Sequence, residues 1–377
     1  MILLNSRKMR QETVQKLLIT ENLKALIFIG DTNVGPDFCG DFRYYVNNRI
    51  IFYRQVVLVL SDSTSVLLAG SEIQRQAAAG RSFINDCRLS NNLVADAVRI
   101  LKDRKISSGR VGVNFEMLPT AWYMYMKQEL PEIDFVETHE SIMKIRFQQQ
   151  CIEDFDTYQK GASLGDGGFE AALKIIRPGI SEYEIVAEIE HYARTGGAEE
   201  HFTLIGSGKF AFCDGNTMPL PYSPSERLIE AGDSITIEIT PRYDSTWTQL
   251  VRTVNVSQPN ADIQQIHKIC LKAIEKALEK LKPGETIKDL VLAMESYVSS
   301  CGFLLKPPLG HICGIDLIEA RVSSNNEMII KPGTAVIIHP TIFTPDGKNS
   351  FFWGETYFVT SDGYKCLHRT GNDLLTI

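Results

Sequence analysis

The sequence lacks the excess of positive charge, the close cysteine pairs and the long apolar runs that would each assign it to a particular class of protein. Its 46 acidic residues outnumber its 39 lysines and arginines, which gives a formal net charge of −7. A protein that neutralises a phosphate backbone needs a basic surface. We therefore expect no nucleic-acid partner.

The cysteines and the apolar residues exclude two further classes. None of the eight cysteines forms a Cys-x-x-Cys pair, and a chain of 377 residues buries enough apolar surface to fold without disulfides. The first residues, "MILLNSRKMRQE", hold only a short apolar run before the charges begin, far shorter than a signal-peptide core or a membrane span. We expect reduced thiols, a cytoplasmic protein and no membrane partner.

The chain is long enough for two domains, and its pattern changes near residue 145. Before that point, β-rich runs alternate with helical patterns such as "NNLVADAVRILKDRK", which is typical of an α/β domain. The stretch "VVLVLSDSTSVLLAG" predicts a hairpin and therefore a mixed sheet. A long amphipathic stretch, "CIEDFDTYQKGASLGDGGFEAALKII", then predicts a helix that opens a second domain. We place the domains at residues 1–145 and 146–377.

The second domain contains an internal repeat. The stretches "RPGISEYEI" and "KPGETIKDL" share a Pro-Gly pair, a Ser or Thr suited to cap a helix, and an acidic residue three positions later. Further on, "AGDSITIEITPRY" and "KPGTAVIIHPTIF" each run from a glycine through a strand to a polar residue, Glu238 or His339. We infer two copies of a helix-and-strand unit about a pseudo-two-fold axis.

These motifs, with "GHICGIDLIEA" and "GETYFVTSDG" in the same order, resemble the creatinase, prolidase and methionine aminopeptidase family, M24. The resemblance implies an α+β protein. Its pita-bread catalytic domain, with the internal pseudo-two-fold repeat, would follow a smaller α/β creatinase-like N-terminal domain. It also implies a homodimer.

The resemblance further implies a metal site with altered ligands. Peptidases of the family hold two divalent metals with two aspartates, a histidine and two glutamates. At the corresponding positions this sequence has Glu238, Gln249, His311, His339 and Glu355. Two carboxylates and an amide compensate two cations poorly.

We therefore expect one divalent transition metal (Fe, Mn or Zn) held by His311, His339 and Glu355. Gln249 is a further candidate ligand, and Glu238 is a ligand or a base beside the metal. The alternative is chemistry without metal, in which the same side chains bind substrate and move protons.

Other residues complete the predicted site. Glu238, Glu319 and His311 are the candidate acids and bases, and Arg321 could bind a substrate carboxylate. The resemblance places Tyr45 and Arg43 over the site of a neighbouring subunit, as substrate-binding candidates. Ile318 stands where family peptidases have a second histidine.

The altered ligands and Ile318 together predict hydrolysis of a C–N bond in a small polar amide, amidine or amino-acid-like compound rather than in Xaa-Pro peptides. Two alternatives stay open. One is a mononuclear non-haem Fe(II) oxygenase with a two-histidine, one-carboxylate site. The other is a non-catalytic binding module with the shape of a peptidase.

Overall fold

The computed structural model describes residues 2–31, 40–46, 53–148, 154–208, 221–259, 261–347 and 349–377. The chain divides into two compact units, Met1–Gln149 and Gln150–Ile377, and the boundary predicted near residue 145 stays a prediction. No helix in the described ranges combines the length and the apolar character needed to cross a lipid bilayer.

The first unit is built on a six-stranded mixed sheet with the order β4-β3-β2-β1-β5-β6. Its helices are α1 (Ile2–Thr20), α2 (Gly40–Val46), α3 (Glu72–Arg81), α4 (Leu93–Asp103), α5 (Thr120–Glu129) and α6 (His139–Gln148). Its strands are β1 (Leu23–Gly30), β2 (Gln55–Leu60), β3 (Ser65–Ala69), β4 (Asp86–Leu89), β5 (Gly109–Val113) and β6 (Ile133–Glu137). The predicted hairpin is confirmed as the antiparallel pair β2–β3, and the sheet is mixed because β1 pairs parallel with β5.

The second unit contains four helices and thirteen strands within the described residues. The helices are α7 (Phe155–Leu173), α8 (Glu182–Thr195), α9 (Ala261–Leu278) and α10 (Ile287–Ser300). The strands before α9 are β7 (Glu200–Ser207), β8 (Ser234–Tyr243), β9 (Thr246–Trp247) and β10 (Leu250–Asn255). Those after α10 are β11 (Leu304–Lys306), β12 (Gly310–Cys313), β13 (Ala320–Arg321), β14 (Ala335–Ile338), β15 (Thr341–Phe343), β16 (Ser350–Phe352), β17 (Gly354–Val359), β18 (Tyr364–Cys366) and β19 (Leu375–Thr376).

The internal repeat appears as two matched capping boxes. Ser181 caps α8 and exchanges hydrogen bonds with Glu184, and Thr286 caps α10 in the same way with Asp289. Each box satisfies backbone N–H groups that a helix start leaves free. Both predicted helix starts are therefore confirmed.

Strands from both copies join in one ten-stranded sheet, whose main path is β13-β12-β14-β17-β10-β8-β7. The second copy supplies β12, β14 and β17, and the first supplies β10 and β8. Apolar side chains of α7 and α8, including Phe169 and Ile189, pack against Ile237 and Leu250 of the sheet. This core fixes the central strands β8 and β10, on which part of the predicted site lies.

Candidate functional site

The ten-stranded sheet brings four polar side chains to one of its faces. In antiparallel pairs, opposite residues point to the same face and successive residues alternate. When the paired residues are followed from β8 through β10, β17 and β14 to β12, Glu238 and His311 lie on the same face of the sheet. Gln249, just before β10, and His339, just after β14, join them. We call Glu238, Gln249, His311 and His339 the polar cluster; all four are buried.

Contacts inside the polar cluster link three of its members. His311 Nε2 lies 3.0 Å from the side-chain oxygen of Gln249, to which it donates a hydrogen bond. The rings of His311 and His339 meet edge to face, with centroids 5.4 Å apart. Within the described part of the chain, the Nδ1 atoms of both histidines are buried without a hydrogen-bond partner. The Nδ1 atom of each imidazole is therefore available to a ligand.

Burial sets the protonation of these groups in opposite directions. It raises the pKa of Glu238 to about 8, because a buried carboxylate loses its hydration. It lowers the pKa of His311 to about 3, with a further contribution from His339, and the pKa of His339 to about 4. At neutral pH the cluster therefore holds a carboxylic acid and two neutral imidazoles.

Glu355 does not join the polar cluster, which corrects the prediction that it holds a metal together with His311 and His339. Glu355 is opposite Leu250 on β10 and Ile338 on β14. Those residues alternate with the ones that carry the polar cluster, so the Glu355 side chain points to the other face of the sheet. Glu355 is one position beyond Gly354 on β17, and one position is enough to place its side chain on the opposite face.

On that other face, Glu355 is held by three donors. Its carboxylate accepts hydrogen bonds from Arg252, from the Tyr357 hydroxyl at 3.0 Å and from the Cys366 thiol at 3.2 Å. Burial alone would raise the pKa of Glu355, but the charge and hydrogen bond of Arg252 hold it below its usual range. Arg252 also stacks on Trp353, 4.6 Å from the ring centroid. Glu355 is therefore half of a buried ion pair.

The β17 residue that lies beside His339 on the polar-cluster face is Gly354. A Cβ atom at this position would lie 2.1 Å from the Ile338 carbonyl oxygen and 2.5 Å from His339 Cα. Real Cβ atoms essentially never come that close to another atom. The close approach of β14 therefore depends on a glycine at position 354.

The predicted metal ligands do not form a cage. His311 and His339 lie together, but the third predicted ligand, Glu355, is on the opposite face. In the described ranges no group of three or more histidine, cysteine, aspartate and glutamate side chains is arranged to hold a metal ion. The side chains on this face therefore do not fit a metal centre of the kind predicted.

Arg321 lies in the short edge strand β13, and Glu319 immediately precedes that strand. Arg321 is exposed and opposite His311 in the register, so it shares the face of the polar cluster. Its positive charge contributes to the lowered pKa of His311. Glu319 is buried and accepts a hydrogen bond from the Asp316 backbone N–H at 3.0 Å. The structure therefore gives Glu319 a contact within its own turn, and its catalytic role stays a prediction.

Tyr45 and Arg43 lie on α2 in the first unit, where both are buried. The Tyr45 hydroxyl hydrogen-bonds Ser65 Oγ at 2.6 Å, and its ring packs 5.6 Å from that of Phe28. Their predicted role in substrate binding stays a prediction.

Sequence reasoning missed Gly354 and Arg252. The available signal for Gly354 was strand alternation in "GETYFV". Successive residues of a strand point to opposite faces, so Gly354 and Glu355 cannot share a face. Arg252 gave no signal, since its pairing with Glu355 joins residues 103 apart.

Comparisons with known proteins agree on the family. Residues 156–361, more than half of the chain, match metallopeptidase family M24, and residues 7–148 match the creatinase/prolidase N-terminal domain. The chain is 29% identical over 254 residues to an Xaa-Pro dipeptidase of Pyrococcus furiosus, covering 66% of this chain and 69% of that protein. An uncharacterized peptidase of Bacillus subtilis is 26% identical over 272 residues, covering 71% and 75%.

Solved structures share the fold over nearly the whole chain. An Xaa-Pro dipeptidase from Bacillus anthracis has a TM-score of 0.84 and 21% identity, covering 98% of this chain and 100% of that one. An X-Pro aminopeptidase from Thermotoga maritima has a TM-score of 0.82 and 20% identity, covering 97% and 99%. The predicted two-domain pita-bread architecture is confirmed.

The comparisons correct the predicted function. The relatives are Xaa-Pro peptidases, so the prediction of a non-peptide substrate outside that class is wrong. The oxygenase and the non-catalytic module find no support among them. The predicted enzyme class, a hydrolase acting on C–N bonds, is confirmed, because a peptide bond is a C–N bond. Peptidases of this family use divalent metals. The chain belongs to metallopeptidase family M24.

Proposed function

We propose that the chain hydrolyses the peptide bond of short Xaa-Pro peptides, the substrate class in its relatives' names. The polar cluster carries this proposal, since it joins a buried carboxyl group and two imidazoles with unpartnered ring nitrogens on one sheet face. Candidate acids and bases on rigid strands of one sheet suit proton transfer at a bound peptide.

Cleavage before proline requires an acid. The prolyl nitrogen has no hydrogen in the peptide. It must gain a proton as the C–N bond breaks, because a deprotonated secondary amine is a poor leaving group. Glu238 is suited to supply it, since burial raises its pKa to about 8 and it is protonated at neutral pH. The proposal assigns Glu238 as the general acid.

Attack by water requires a base. A neutral imidazole can take a proton from water as the water oxygen bonds to the carbonyl carbon. Both imidazoles are weak bases, because burial lowers the pKa of His311 to about 3 and that of His339 to about 4. The proposal assigns this step to His339, the stronger base of the two, whose Nδ1 is unpartnered. Gln249, whose side-chain oxygen is engaged by His311, keeps its amide N–H groups to stabilise the negative charge on the carbonyl oxygen.

Arg321 suits recognition of the substrate's free carboxylate. It shares the face of the polar cluster at the sheet edge, and no ion pair to its guanidinium is found among the described side chains. A planar guanidinium binds a carboxylate through two parallel hydrogen bonds. Arg321 would then favour dipeptides, whose carboxylate lies next to the cleaved bond.

The proposal keeps two further predictions, a homodimer, which rests on the resemblance, and a cytoplasmic location, which rests on the cysteine pattern and the short apolar runs. Light scattering tests the first against the chain mass of 42.3 kDa. Fractionation of cells tests the second.

The central experiment compares purified native protein with Glu238→Gln on a panel of Xaa-Pro dipeptides and matched Xaa-Ala dipeptides. We expect cleavage of Xaa-Pro dipeptides by the native chain and a loss in kcat of about 100-fold or more in Glu238→Gln, the usual contribution of a general acid. The control is Glu226→Gln, at an exposed glutamate of the same unit. Absence of Xaa-Pro cleavage under every condition, or equal rates in the two variants, would contradict the proposal.

A further inference from the structure

The face of the sheet that carries the polar cluster supplies too little negative charge for a pair of metal ions. Two divalent cations bring four positive charges to sites a few ångströms apart, and their mutual repulsion is relieved only by anionic ligands. Glu238 is the one carboxylate of the polar cluster. Gln249, His311 and His339 add donor atoms but no charge. Even with Glu238 counted as ionised, the polar cluster would leave three of the four positive charges uncompensated in a buried site.

A single metal ion is also poorly served. Its ligands would have to come from His311, His339 and Glu238, but in the described part of the chain no three such side chains converge. The Nε2 atom of His311 is already engaged with Gln249. A divalent ion would also keep a net positive charge beside one carboxylate, at a buried site where charge is costly.

The neighbouring strand cannot supply the missing carboxylate. On this face β17 carries Gly354, Thr356 and Phe358, none of which has a carboxylate. At Gly354, beside His339, the Ile338 carbonyl and His339 leave no room for a side chain. The carboxylate of the next residue, Glu355, lies on the other face, and its charge is balanced by Arg252.

We propose that this chain is a metal-independent member of its family, in which the polar cluster binds substrate and transfers protons through its side chains alone. This inference depends on the proposed function only for the identity of the reaction. The binding of metal can be measured without any substrate.

The test measures metal binding directly. Native protein is incubated with Mn²⁺, Co²⁺, Zn²⁺ or anaerobic Fe²⁺, then dialysed, and the metal content per chain is measured by mass spectrometry. Thermal midpoints are recorded with metal and with chelator. We expect substoichiometric metal and the same midpoint in both conditions, because a ligand that binds only the folded state would raise it.

Variants with added carboxylates test whether the lack of negative charge is the reason that the native chain does not bind metal. Gln249→Asp combined with His339→Glu adds two carboxylates to the same face, and we expect Mn²⁺ affinity to rise about tenfold or more. If the double variant does not fold, Gln249→Asp alone provides the comparison. No gain of affinity in a folded variant would overturn the charge argument and the proposal with it.

Two histidine variants locate any metal that native protein retains. A stoichiometric ion lost in His311→Ala but kept in His191→Ala would overturn the proposal. An ion lost only with His191, an exposed histidine, lies on the surface and leaves the proposal supported.

Peptidase assays with and without metal separate this inference from the proposed function. Xaa-Pro cleavage that resists chelation supports both, and cleavage that appears only after metal is added overturns metal independence alone. If no Xaa-Pro peptide is cleaved in either condition, the proposed function fails. The binding measurement then decides metal independence by itself.

Discussion

At the residue scale, a shift of one position along β17 decides which side chains meet. The resemblance led us to expect Glu355 beside His339, but strand alternation gives that face to Gly354. A glycine there allows the Ile338 carbonyl to approach the β17 backbone closely. The absence of a side chain therefore shapes the polar-cluster face as much as the four polar residues do.

The close approach at Gly354 makes a stability prediction. Gly354→Ala would place a methyl group 2.1 Å from the Ile338 carbonyl oxygen, so β14 or β17 must shift. Overpacking of this kind costs about 1–3 kcal/mol. We expect the free energy of unfolding, measured with denaturant, to fall by that amount.

Gly363→Ala is the matched control, since a Cβ at Gly363 would meet nothing within 4 Å. We expect it to change the unfolding free energy by less than about 0.5 kcal/mol. Equal stability of the Gly354 and Gly363 variants would show that the two strands adjust without cost.

At the element scale, a buried carboxylate of α7 binds residues 368–370, which we call the C-terminal segment. Asp166 of α7 accepts hydrogen bonds from His368 Nδ1 at 3.1 Å, the Arg369 backbone N–H at 3.0 Å and the Thr370 hydroxyl at 2.6 Å. Thr370 also accepts a hydrogen bond from Arg252 through its backbone carbonyl. The segment therefore links α7 to the ion pair beneath β17.

This carboxylate predicts a loss of stability in acid. Burial alone would raise the pKa of Asp166, but its hydrogen bonds and the interaction with His368 lower it from 3.8 to about 2. Because the folded pKa is the lower one, the stabilisation is complete above about pH 4 and lost as the pH falls toward 2. The shift corresponds to about 2 kcal/mol at neutral pH.

Denaturation of native protein and Asp166→Asn at a series of pH values measures this effect. We expect the variant to be less stable at pH 7 and the difference to shrink between pH 4 and pH 2. Asp134→Asn, at an exposed position, should follow the native curve. A difference independent of pH would show that the ionised carboxylate of Asp166 is not what stabilises the segment.

At the scale of the whole molecule, both copies of the repeat contribute residues to the polar cluster. The first copy supplies Glu238 and Gln249, and the second supplies His311 and His339. The second copy also ends the sheet with β13, which places Arg321 at the edge beside His311.

The edge position of Arg321 predicts selection for a free carboxylate. Arg321→Ala should raise KM for Xaa-Pro dipeptides about 10- to 100-fold, the value of a charge-assisted hydrogen-bonded pair. It should leave KM for the matched Xaa-Pro amides nearly unchanged. Arg321→Lys, which keeps the charge without the planar fork, should lie between them.

Steady-state kinetics on both substrate series checks this prediction. A parallel loss on acids and amides would mean that Arg321 supports the fold of the edge strand and does not recognise the carboxylate.

The sequence by itself determined the family, the two capping boxes, the hairpin of the first unit and the identity of His311 and His339 as neighbours. The capping boxes and the hairpin follow from local signals, because capping and turn residues act within a few positions. The family and the expected neighbours His311 and His339 follow from the resemblance, which rests on motifs in a fixed order. Only the tertiary structure decided the face on which Glu355 lies, its pairing with Arg252 and the close approach at Gly354. Each of these depends on strand register and on contacts between residues distant in the chain, and a register error of one residue reverses the face of every side chain on a strand.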